Sequence, residues 1–351
     1  MLGHTLEELQ ESLQELGRPK FRAAQIWKWV YEKGVTDWSC MTDLSQDLRE
    51  AMQSQLQLET LRLIRKQDSV DGETTKFLWE LYDGKLVESV LIRSADRRTV
   101  CVSSQVGCPA RCAFCASGKQ GLIRHLEARE ITEQVYQIDR LLKAQKERVS
   151  HIVYMGMGEP MENYGNVLRS IRIMNDAKGL NISQRKMTVS TVGVVEGIDR
   201  FAKEGLQVNL VLSLHAPNQR LRQKLIPYAR RYSLEDVLMA MRSFAKTTKR
   251  DITYEYTLMK DLNDQKEHAE ELAELLKHDR CTVNLIPYNP VEGISLSRPP
   301  KESIILFREI LEKKGINTTW RYTKGKDIAA ACGQLALQEK IEHGSNLAII
   351  E

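Results

Sequence analysis

Residues 99–115 read Thr-Val-Cys-Val-Ser-Ser-Gln-Val-Gly-Cys-Pro-Ala-Arg-Cys-Ala-Phe-Cys, an apolar run followed by three closely spaced cysteines. The run from Thr99 to Ser104 is typical of a buried strand, so Cys108, Cys112 and Cys115 are expected on the loop that follows it. Thiolates hold the iron of iron–sulfur clusters. A cubane held by only three protein thiolates keeps one iron open for a ligand that is not protein. The segment therefore predicts one 4Fe-4S cluster at the end of a strand.

The cysteine triplet also permits two simpler interpretations, a zinc site and three unrelated buried thiols. A structural zinc normally takes four ligands arranged as two close pairs, and the seven cysteines include no second CxxC or CxxH pair. Cys40 and Cys281 are isolated, and we expect them to be buried. The tight spacing favours the cluster, and it resembles the signature of radical enzymes that bind S-adenosylmethionine through its amino and carboxylate groups at the open iron.

The bulk properties limit the class of protein. A chain of 351 residues can form one large and one smaller domain without disulfides. No apolar stretch approaches the roughly 18 residues of a membrane span, and the first residues lack the pattern of a signal peptide. We therefore expect a cytoplasmic protein with no membrane partner, a compartment that suits free thiols. A net charge of +4 permits a nucleic-acid partner without demanding one.

The sequence pattern divides the chain into four parts. Residues 1–56 have helical periodicity and predict an N-terminal helical accessory domain. Residues 57–93 alternate apolar and polar positions around Asp-Gly turns, which predicts a β-hairpin connector. Residues 94–335 alternate strands with helices and form the core domain, and residues 336–351 are a C-terminal tail.

Basic and aromatic side chains are interleaved from Arg18 to Trp29 in the helical part. In such a surface, the basic side chains suit the phosphates of an RNA backbone, and the aromatic rings suit stacking on nucleobases. The alternative is a set of amphipathic helices with tryptophan in the core and lysine outside. The pattern alone leaves both open.

Short β-rich runs alternate with helical stretches after Cys115. The predicted strands are His151–Met155, Lys186–Thr191, Gln207–Ser213, Ile252–Leu258, Thr282–Pro287 and Asn317–Tyr322. The predicted helices are Arg129–Lys146, Tyr164–Asn175, Ser233–Phe244, Glu267–His278 and Lys301–Lys314. This alternation predicts an α/β fold with a parallel sheet, open or closed into a barrel, whose functional residues lie where the strands end.

Polar or glycine-rich clusters follow several of these strands. They are Met155-Gly-Met-Gly-Glu159-Pro160, Ser190, Ser213-Leu214-His215 and Asn289. Each alone is typical of a strand cap, a turn or a satisfied core group. Because the carboxyl ends of parallel strands share one edge, the clusters together indicate a site.

Five motifs together resemble those of one family. They are Cys101-Val-Ser-Ser-Gln-Val-Gly-Cys108, the cysteine triplet, Met155-Gly-Met-Gly-Glu-Pro160, Ser213-Leu-His-Ala-Pro-Asn218 and Ala331-Cys-Gly-Gln-Leu335. They resemble the RlmN/Cfr family of radical S-adenosylmethionine (radical SAM) methyltransferases, which act on adenosine in 23S rRNA and, in the RlmN branch, also in tRNA. The similarity runs from Phe21 to Leu335. It implies an incomplete (β/α)6 TIM-type radical SAM barrel with an N-terminal helical accessory domain.

The resemblance also implies roles for individual residues. Cys108, Cys112 and Cys115 match the cluster ligands. Cys332 matches the cysteine that becomes S-methylated, Cys101 matches its disulfide partner, and Glu88 matches the proton acceptor. The residues that match S-adenosylmethionine contacts are Gly158, Glu159, Ser190, Ser213, Leu214, His215 and Asn289.

The family's reaction uses two S-adenosylmethionine molecules per turnover. One methylates the thiolate that Cys332 matches, and the second is cleaved to a 5′-deoxyadenosyl radical that takes hydrogen from the new S-methyl group. The radical route is needed because C2 and C8 of adenine are not nucleophilic. The methylene radical adds to adenine, a base removes the ring proton, and attack by the second thiolate releases methyladenosine and leaves a disulfide.

The motifs Gly158-Glu-Pro160 and Ser104-Gln-Val-Gly107 resemble the branch that methylates C2 at the peptidyl transferase centre and in adenosine 37 of certain tRNAs. A flavodoxin-type electron donor and a monomeric state are further expectations.

Two positions depart from the family pattern. Ala329 stands where an acid is usual before the methylated cysteine, and Ala336-Leu337 stands where Ala-Gly is usual. We expect these departures to affect loop packing near Cys332.

Three alternatives are Cfr-type C8 methylation, a methylthiotransferase, and a non-enzymatic metal-stabilised RNA-binding protein. The absence of a second N-terminal cysteine set argues against the methylthiotransferase. Candidate RNA-binding patches are Arg18 to Lys28, Arg93 with Arg97 and Arg98, and Arg230 with Arg231. For each patch, the alternative is a charged surface that only contacts solvent.

Overall fold

The computed structural model describes residues 1–320 and 324–335. The predicted C-terminal tail, residues 336–351, lies outside the described residues, as does the end of the strand predicted to run to Tyr322. No helix in the described residues is long and apolar enough to cross a membrane.

The N-terminal part is helical, as its periodicity predicts. Its helices are α1 (Leu6–Glu15), α2 (Phe21–Trp27) and α3 (Gln46–Gln55). Thr5 and Glu8 form a capping box that begins α1 by satisfying backbone N–H groups that lack helical partners. Trp27 is only 1% exposed, so this tryptophan belongs to the core and does not stack on a ligand. Cys40 is exposed and Cys281 half-buried, so the expectation that both are buried is wrong.

The connector consists of antiparallel strands that lead into the barrel. They are β1 (Arg62–Asp68), β2 (Thr74–Glu80) and β3 (Leu86–Ser94), and β3 pairs with β4 (Arg97–Cys101). The two turns carry Gly72 at φ +69° and Gly84 at φ +74°, a left-handed backbone that glycine adopts without steric cost. Val90 lies opposite Cys101 in the β3–β4 register. Because side chains alternate along a strand, Glu88 faces the same side of the sheet as these two residues.

The remaining strands and helices build the barrel. The strands are β5 (Gln105–Gly107), β6 (Leu122–His125), β7 (His151–Tyr154), β8 (Met187–Thr191), β9 (Asn209–Ser213), β10 (Ile252–Leu258), β11 (Cys281–Pro287) and β12 (Asn317–Trp320). The helices are α4 (Ala128–Lys143), α5 (Tyr164–Asn175), α6 (Val195–Lys203), α7 (Gln219–Leu225), α8 (Leu234–Thr248), α9 (Lys266–Leu276) and α10 (Lys301–Lys313).

The sheet is an open barrel. Across the described chain its order is β1-β2-β3-β4-β7-β8-β9-β10-β11-β12, and all pairs from β4 to β12 are parallel. At least one helix follows each of β4, β7, β8, β9, β10 and β11, which gives the predicted (β/α)6 arrangement. The small hairpin of β5 and β6 is separate. In the part of the chain that the structure describes, β4 pairs with the connector and not with β12, so the parallel strands there do not close into a ring.

Candidate active site

The carboxyl ends of the parallel strands enclose one cavity, which holds most of the predicted site. It is lined by the cysteine triplet and by residues from the loops after β7, β8, β9 and β11. Predicted site residues that line it are Cys108, Cys112, Cys115, Gly158, Glu159, Ser190, Ser213, His215, Asn289 and Cys332. Leu214 is 0% exposed and not part of the lining. The structure therefore brings together all but one of the predicted cofactor-binding residues.

Backbone hydrogen bonds fix the loop that carries the cysteine triplet. The Cys108 N–H donates to the Gly121 carbonyl at 3.0 Å, and the Ala113 N–H donates to the Leu225 carbonyl at 2.9 Å. Gly107 has φ +75°, and a Cβ atom there would lie 1.9 Å from the Gly121 carbonyl oxygen. Only glycine permits this close approach.

The three thiols share a buried environment that opposes negative charge. Burial raises the pKa of the Cys108 thiol to about 12. Burial, followed by repulsion from the other two cysteines, raises the pKa of Cys112, and burial raises that of Cys115. A bound cation would lower these pKa values and so favour three thiolates.

The arrangement of the thiols fits a cluster. Within residues 1–320 and 324–335, no three His, Cys, Asp or Glu side chains are grouped to hold one metal ion. Each thiolate of a cubane binds a different iron, so cluster ligands need not converge on a single point. The three cysteines line a cavity that has room beside them for a non-protein ligand, which suits a cluster with an open iron.

Glu159 is held by the loop that follows β7. Its carboxylate accepts hydrogen bonds from the backbone N–H groups of Val192 at 2.8 Å and Met161 at 3.0 Å. Its own N–H donates to Gln105 Oε1 at 2.7 Å. Burial raises the pKa of Glu159 to about 7. A cationic amine that entered the cavity would favour its ionised form.

His215 is neutral and has a fixed tautomer. The Thr257 N–H donates to His215 Nδ1 at 2.9 Å, so the proton of the neutral ring is on Nε2. Burial lowers the His215 pKa to about 3, and the ring packs edge-on against Phe114 with centroids 4.9 Å apart. On the neighbouring strands, the Ser190 and Ser213 hydroxyls lie 3.2 Å apart.

Cys332 lines both the triplet cavity, which is the one that the cysteine triplet also lines, and a second, smaller cavity. Asn289 Nδ2 donates to the Cys332 carbonyl at 3.3 Å, and the Ala116 N–H donates to the Gly333 carbonyl at 2.8 Å. Cys332 lines the large cavity with the triplet. It also lines a cavity of about 50 Å³ together with Cys101. Two cysteines separated by more than 200 residues in sequence thus line one small cavity, which Cys115 of the triplet also lines.

Glu88 lies in a separate cavity on the connector face. It is 4% exposed, and its Oε1 is 3.1 Å from Lys76 Nζ, so its carboxylate is buried beside a cation. This cavity is also lined by Lys326 and Ala329. The segment that carries Cys332 therefore borders the Glu88 cavity as well.

The candidate RNA-binding patches differ in their availability. Arg18 is paired with Asp47, Arg98 with Glu147, and Arg231 with Glu162. Arg93, near the end of β3, pairs with Arg98 at the start of β4, so the patch of Arg93, Arg97 and Arg98 lies at the end of β4 opposite the cysteine cavity. Arg230 is exposed and belongs to the segment after α7.

Two residues near the site were not predicted. Gln105 orients the Glu159 loop through its side chain. Arg222 is fully buried beneath the strand ends, although its only sequence signal is an arginine flanked by Leu221 and Leu225 at apolar helical positions.

Two family models match the chain. The model described as Radical SAM superfamily matches residues 102–276. The model described as Ribosomal RNA large subunit methyltransferase N-terminal domain matches residues 1–58.

Relatives match nearly the full length. A probable dual-specificity RNA methyltransferase RlmN 2 from Protochlamydia amoebophila is 59% identical over 334 residues, covering 95% of this chain and 93% of the relative. A probable dual-specificity RNA methyltransferase RlmN from Bacillus cytotoxicus is 49% identical, covering 96% of this chain and 93% of the relative. The crystal structure of a radical SAM methyltransferase from Sphaerobacter thermophilus has a TM-score of 0.93 and 44% identity, covering 95% of this chain and 98% of that chain.

Proposed function

Because the chain belongs to the RlmN family of radical SAM methyltransferases, we propose that it methylates C2 of adenosine in RNA. The substrates are the adenosine at the peptidyl transferase centre of 23S rRNA and adenosine 37 of certain tRNAs. The names of the relatives, dual-specificity RNA methyltransferases, support RNA as the substrate class.

The observation that carries the proposal is the position of Cys332. Its segment lines both the triplet cavity and the small cavity that Cys101 also lines. A reaction with a protein-bound methyl group needs the methylated sulfur close to bound S-adenosylmethionine, and a resolving thiol close to that sulfur. The position of Cys332 at both cavities supports this reaction.

The cofactors are those of the family, one 4Fe-4S cluster and S-adenosylmethionine. Cys108, Cys112 and Cys115 would hold the cluster, and the cluster would supply the electron for cleavage of S-adenosylmethionine. Glu159 accepts hydrogen bonds from the S-adenosylmethionine ammonium. Gly158, Ser190, Ser213, Leu214, His215 and Asn289 make the other cofactor contacts, and Leu214 contributes its backbone, because its side chain is buried.

Three residues carry the covalent chemistry. The Cys332 thiolate takes a methyl group from the first S-adenosylmethionine and later holds the carbon that bonds to adenine. Glu88 accepts the proton that leaves C2. The Cys101 thiolate then attacks the Cys332 sulfur, and the bond between that sulfur and the transferred carbon breaks. The unpaired electron left by the radical addition would return to the oxidised cluster, and a proton would convert the released methylene carbon into the methyl group of methyladenosine. The resulting disulfide needs two electrons from an external reductant before another turnover.

Three further features complete the proposal: a flavodoxin-type electron donor, a monomeric state and a cytoplasmic location. RNA contact at Arg18 to Lys28 and at Arg230 is also part of it, because a phosphate backbone is bound mainly by Lys and Arg.

The test is an anaerobic reaction of cluster-loaded protein with 23S rRNA fragments that carry deuterium at C2 or at C8 of adenosine. We expect 2-methyladenosine by mass spectrometry, with loss of deuterium from C2 alone. Loss from C8 would favour the Cfr-type reaction instead. Iron-loaded protein that forms no methyladenosine in any RNA, while 23S rRNA from cells with and without the gene is identical, would contradict the proposal and favour a non-enzymatic RNA-binding role.

A further inference from the structure

Arg222 is a fully buried arginine at the base of the candidate site. It lies on α7 and is 0% exposed. Its Nη2 donates to the Val192 carbonyl at 2.5 Å and its Nε to the Leu214 carbonyl at 3.3 Å. These carbonyls belong to the loops after β8 and β9, so the guanidinium holds together two loops that line the cavity.

One terminal nitrogen of this guanidinium makes no hydrogen bond in the described residues. Arg222 Nη1 is buried and has no hydrogen-bond partner in the described structure. A buried donor without a partner costs free energy, and a buried charge without a counter-ion costs more. Carbonyl oxygens satisfy the other nitrogens but do not neutralise the charge. The residue is therefore incomplete without an anion.

The cysteine loop lies next to Arg222. The Ala113 N–H, one residue after Cys112, donates to the carbonyl of Leu225 on α7 at 2.9 Å. After burial, which raises the pKa of Cys112 and lowers that of Arg222, the two groups also favour each other's charged form: Arg222 lowers the pKa of Cys112, and a Cys112 thiolate raises that of Arg222. A negatively charged group held by Cys112 would be the missing counter-ion.

We infer that Arg222 is a positioning residue that stabilises the negative charge of the cluster and so raises its reduction potential. The inference rests on the proposed function only in that Cys108, Cys112 and Cys115 hold the cluster. When the cluster takes one electron from a reductant, its net charge becomes more negative by one unit and no proton or bond needs to change. A fixed buried cation stabilises the reduced form more than the oxidised form. Removing that cation makes reduction harder.

The experiment compares anaerobically reconstituted wild type with Arg222→Gln and Arg222→Lys. The midpoint potential of the cluster is measured by redox titration with dithionite, followed by electron paramagnetic resonance without RNA or S-adenosylmethionine. We expect Arg222→Gln to lower the reduction equilibrium constant at least tenfold, which is 59 mV for a one-electron couple. Arg222→Lys keeps the charge, and we expect its potential to stay close to that of the wild type.

Arg220→Gln is the matched control, because Arg220 lies on the same helix but is exposed. It removes the same charge in contact with solvent, and we expect no change in potential. An Arg222→Gln protein that carries a full cluster at the wild-type potential would overturn the inference.

Loss of the cluster is also informative. If Arg222→Gln does not retain iron while Arg222→Lys does, the charge is required and the inference stands. If neither variant retains iron, the forked hydrogen bonds to the two loops are what matter, and the electrostatic role is refuted. Wild-type protein that binds no iron would instead refute the proposed function.

Discussion

Adding one methyl group at Gly158 should disrupt the packing of the candidate site. Its φ is +112°, and a Cβ atom there would lie 2.7 Å from Ser104 Oγ and 2.8 Å from Gln105 Cβ. Gln105 cannot retreat freely, because its backbone N–H donates to the Met157 carbonyl and its side chain accepts from the Glu159 N–H. The substitution Gly158→Ala therefore forces either a strained loop or a displaced Glu159.

The expected cost has two parts. Overpacking in a well-packed region costs about 1–3 kcal/mol, and an unfavourable backbone conformation costs about 1–3 kcal/mol more. If the loop stays in place, the sum of about 2–6 kcal/mol is lost from the free energy of unfolding. If the loop moves, Glu159 is misplaced, and a loss of about 2 kcal/mol weakens S-adenosylmethionine binding about 30-fold.

Both quantities are measurable, by urea unfolding and by isothermal titration of cluster-loaded protein with S-adenosylmethionine. The control is Gly165→Ala in α5, where a Cβ atom meets nothing within 4 Å. We expect that change to be neutral or to stabilise by up to about 1 kcal/mol. If Gly158→Ala changes stability and affinity by less than about 0.5 kcal/mol together, the loop is not constrained as described.

Three further predictions concern other residues. Cys101→Ala should leave RNA covalently attached to the protein, because no thiolate remains to break the bond to Cys332; a denaturing gel would show the adduct, and free methyladenosine at the wild-type rate would contradict the role of Cys101. Below about pH 6.5 the folded state keeps His215 neutral, with a pKa of about 3, while the unfolded state binds a proton. As the pH is lowered through this range, the free energy of unfolding of the metal-free wild type should therefore fall by up to ~1.4 kcal/mol for each unit of pH, relative to that of His215→Asn. Parallel pH profiles of the two proteins in urea unfolding would rule this out. Ala329 has φ +49°, so Ala329→Asn should stabilise by about 0.5–1 kcal/mol and Ala329→Val should destabilise, since Asn tolerates the left-handed region and β-branched residues do not; equal thermal midpoints would show that position 329 is not strained.

Much of the barrel is predictable because each buried strand is a short apolar run. Ile252–Leu258 and Tyr164–Asn175 have the predicted bounds. The helices α6 and α7 were not predicted. α7 has only seven residues, too few for a clear helical period, and its buried Arg222 interrupts the apolar pattern that normally reveals a core-facing helix.

The candidate site was predictable only where strand ends determine it. Parallel strands place Glu159, Ser190, Ser213 and Asn289 at one edge by topology alone. The cavity shared by Cys101 and Cys332 is different, because it depends on the course of the segment from Lys324 to Leu335. That course carries no periodic signal, so its prediction came from resemblance to a family.

The segment from Lys324 to Leu335 is held at both ends, which fixes the position of Cys332. At its start, the Lys324 ammonium is 2.9 Å from Glu73 Oε2, and the Asp327 carboxylate accepts from the Val70 N–H at 2.8 Å. Both partners belong to the first hairpin turn of the connector, so the connector holds one end of the loop.

The other end of this segment is held by the barrel. Gln334 Nε2 donates to the Pro290 carbonyl at 2.8 Å, and the Ser117 hydroxyl donates to the Leu335 carbonyl at 2.5 Å. Ala329 lies between the two sets of contacts, where the family usually has an acid. Because Cys332 is restrained from both sides, the missing acid should alter local backbone strain without moving the thiol away from Cys101. The connector is thus coupled to the Cys332 segment, since the turn between β1 and β2 holds the start of that segment and β3 of the same connector carries Glu88.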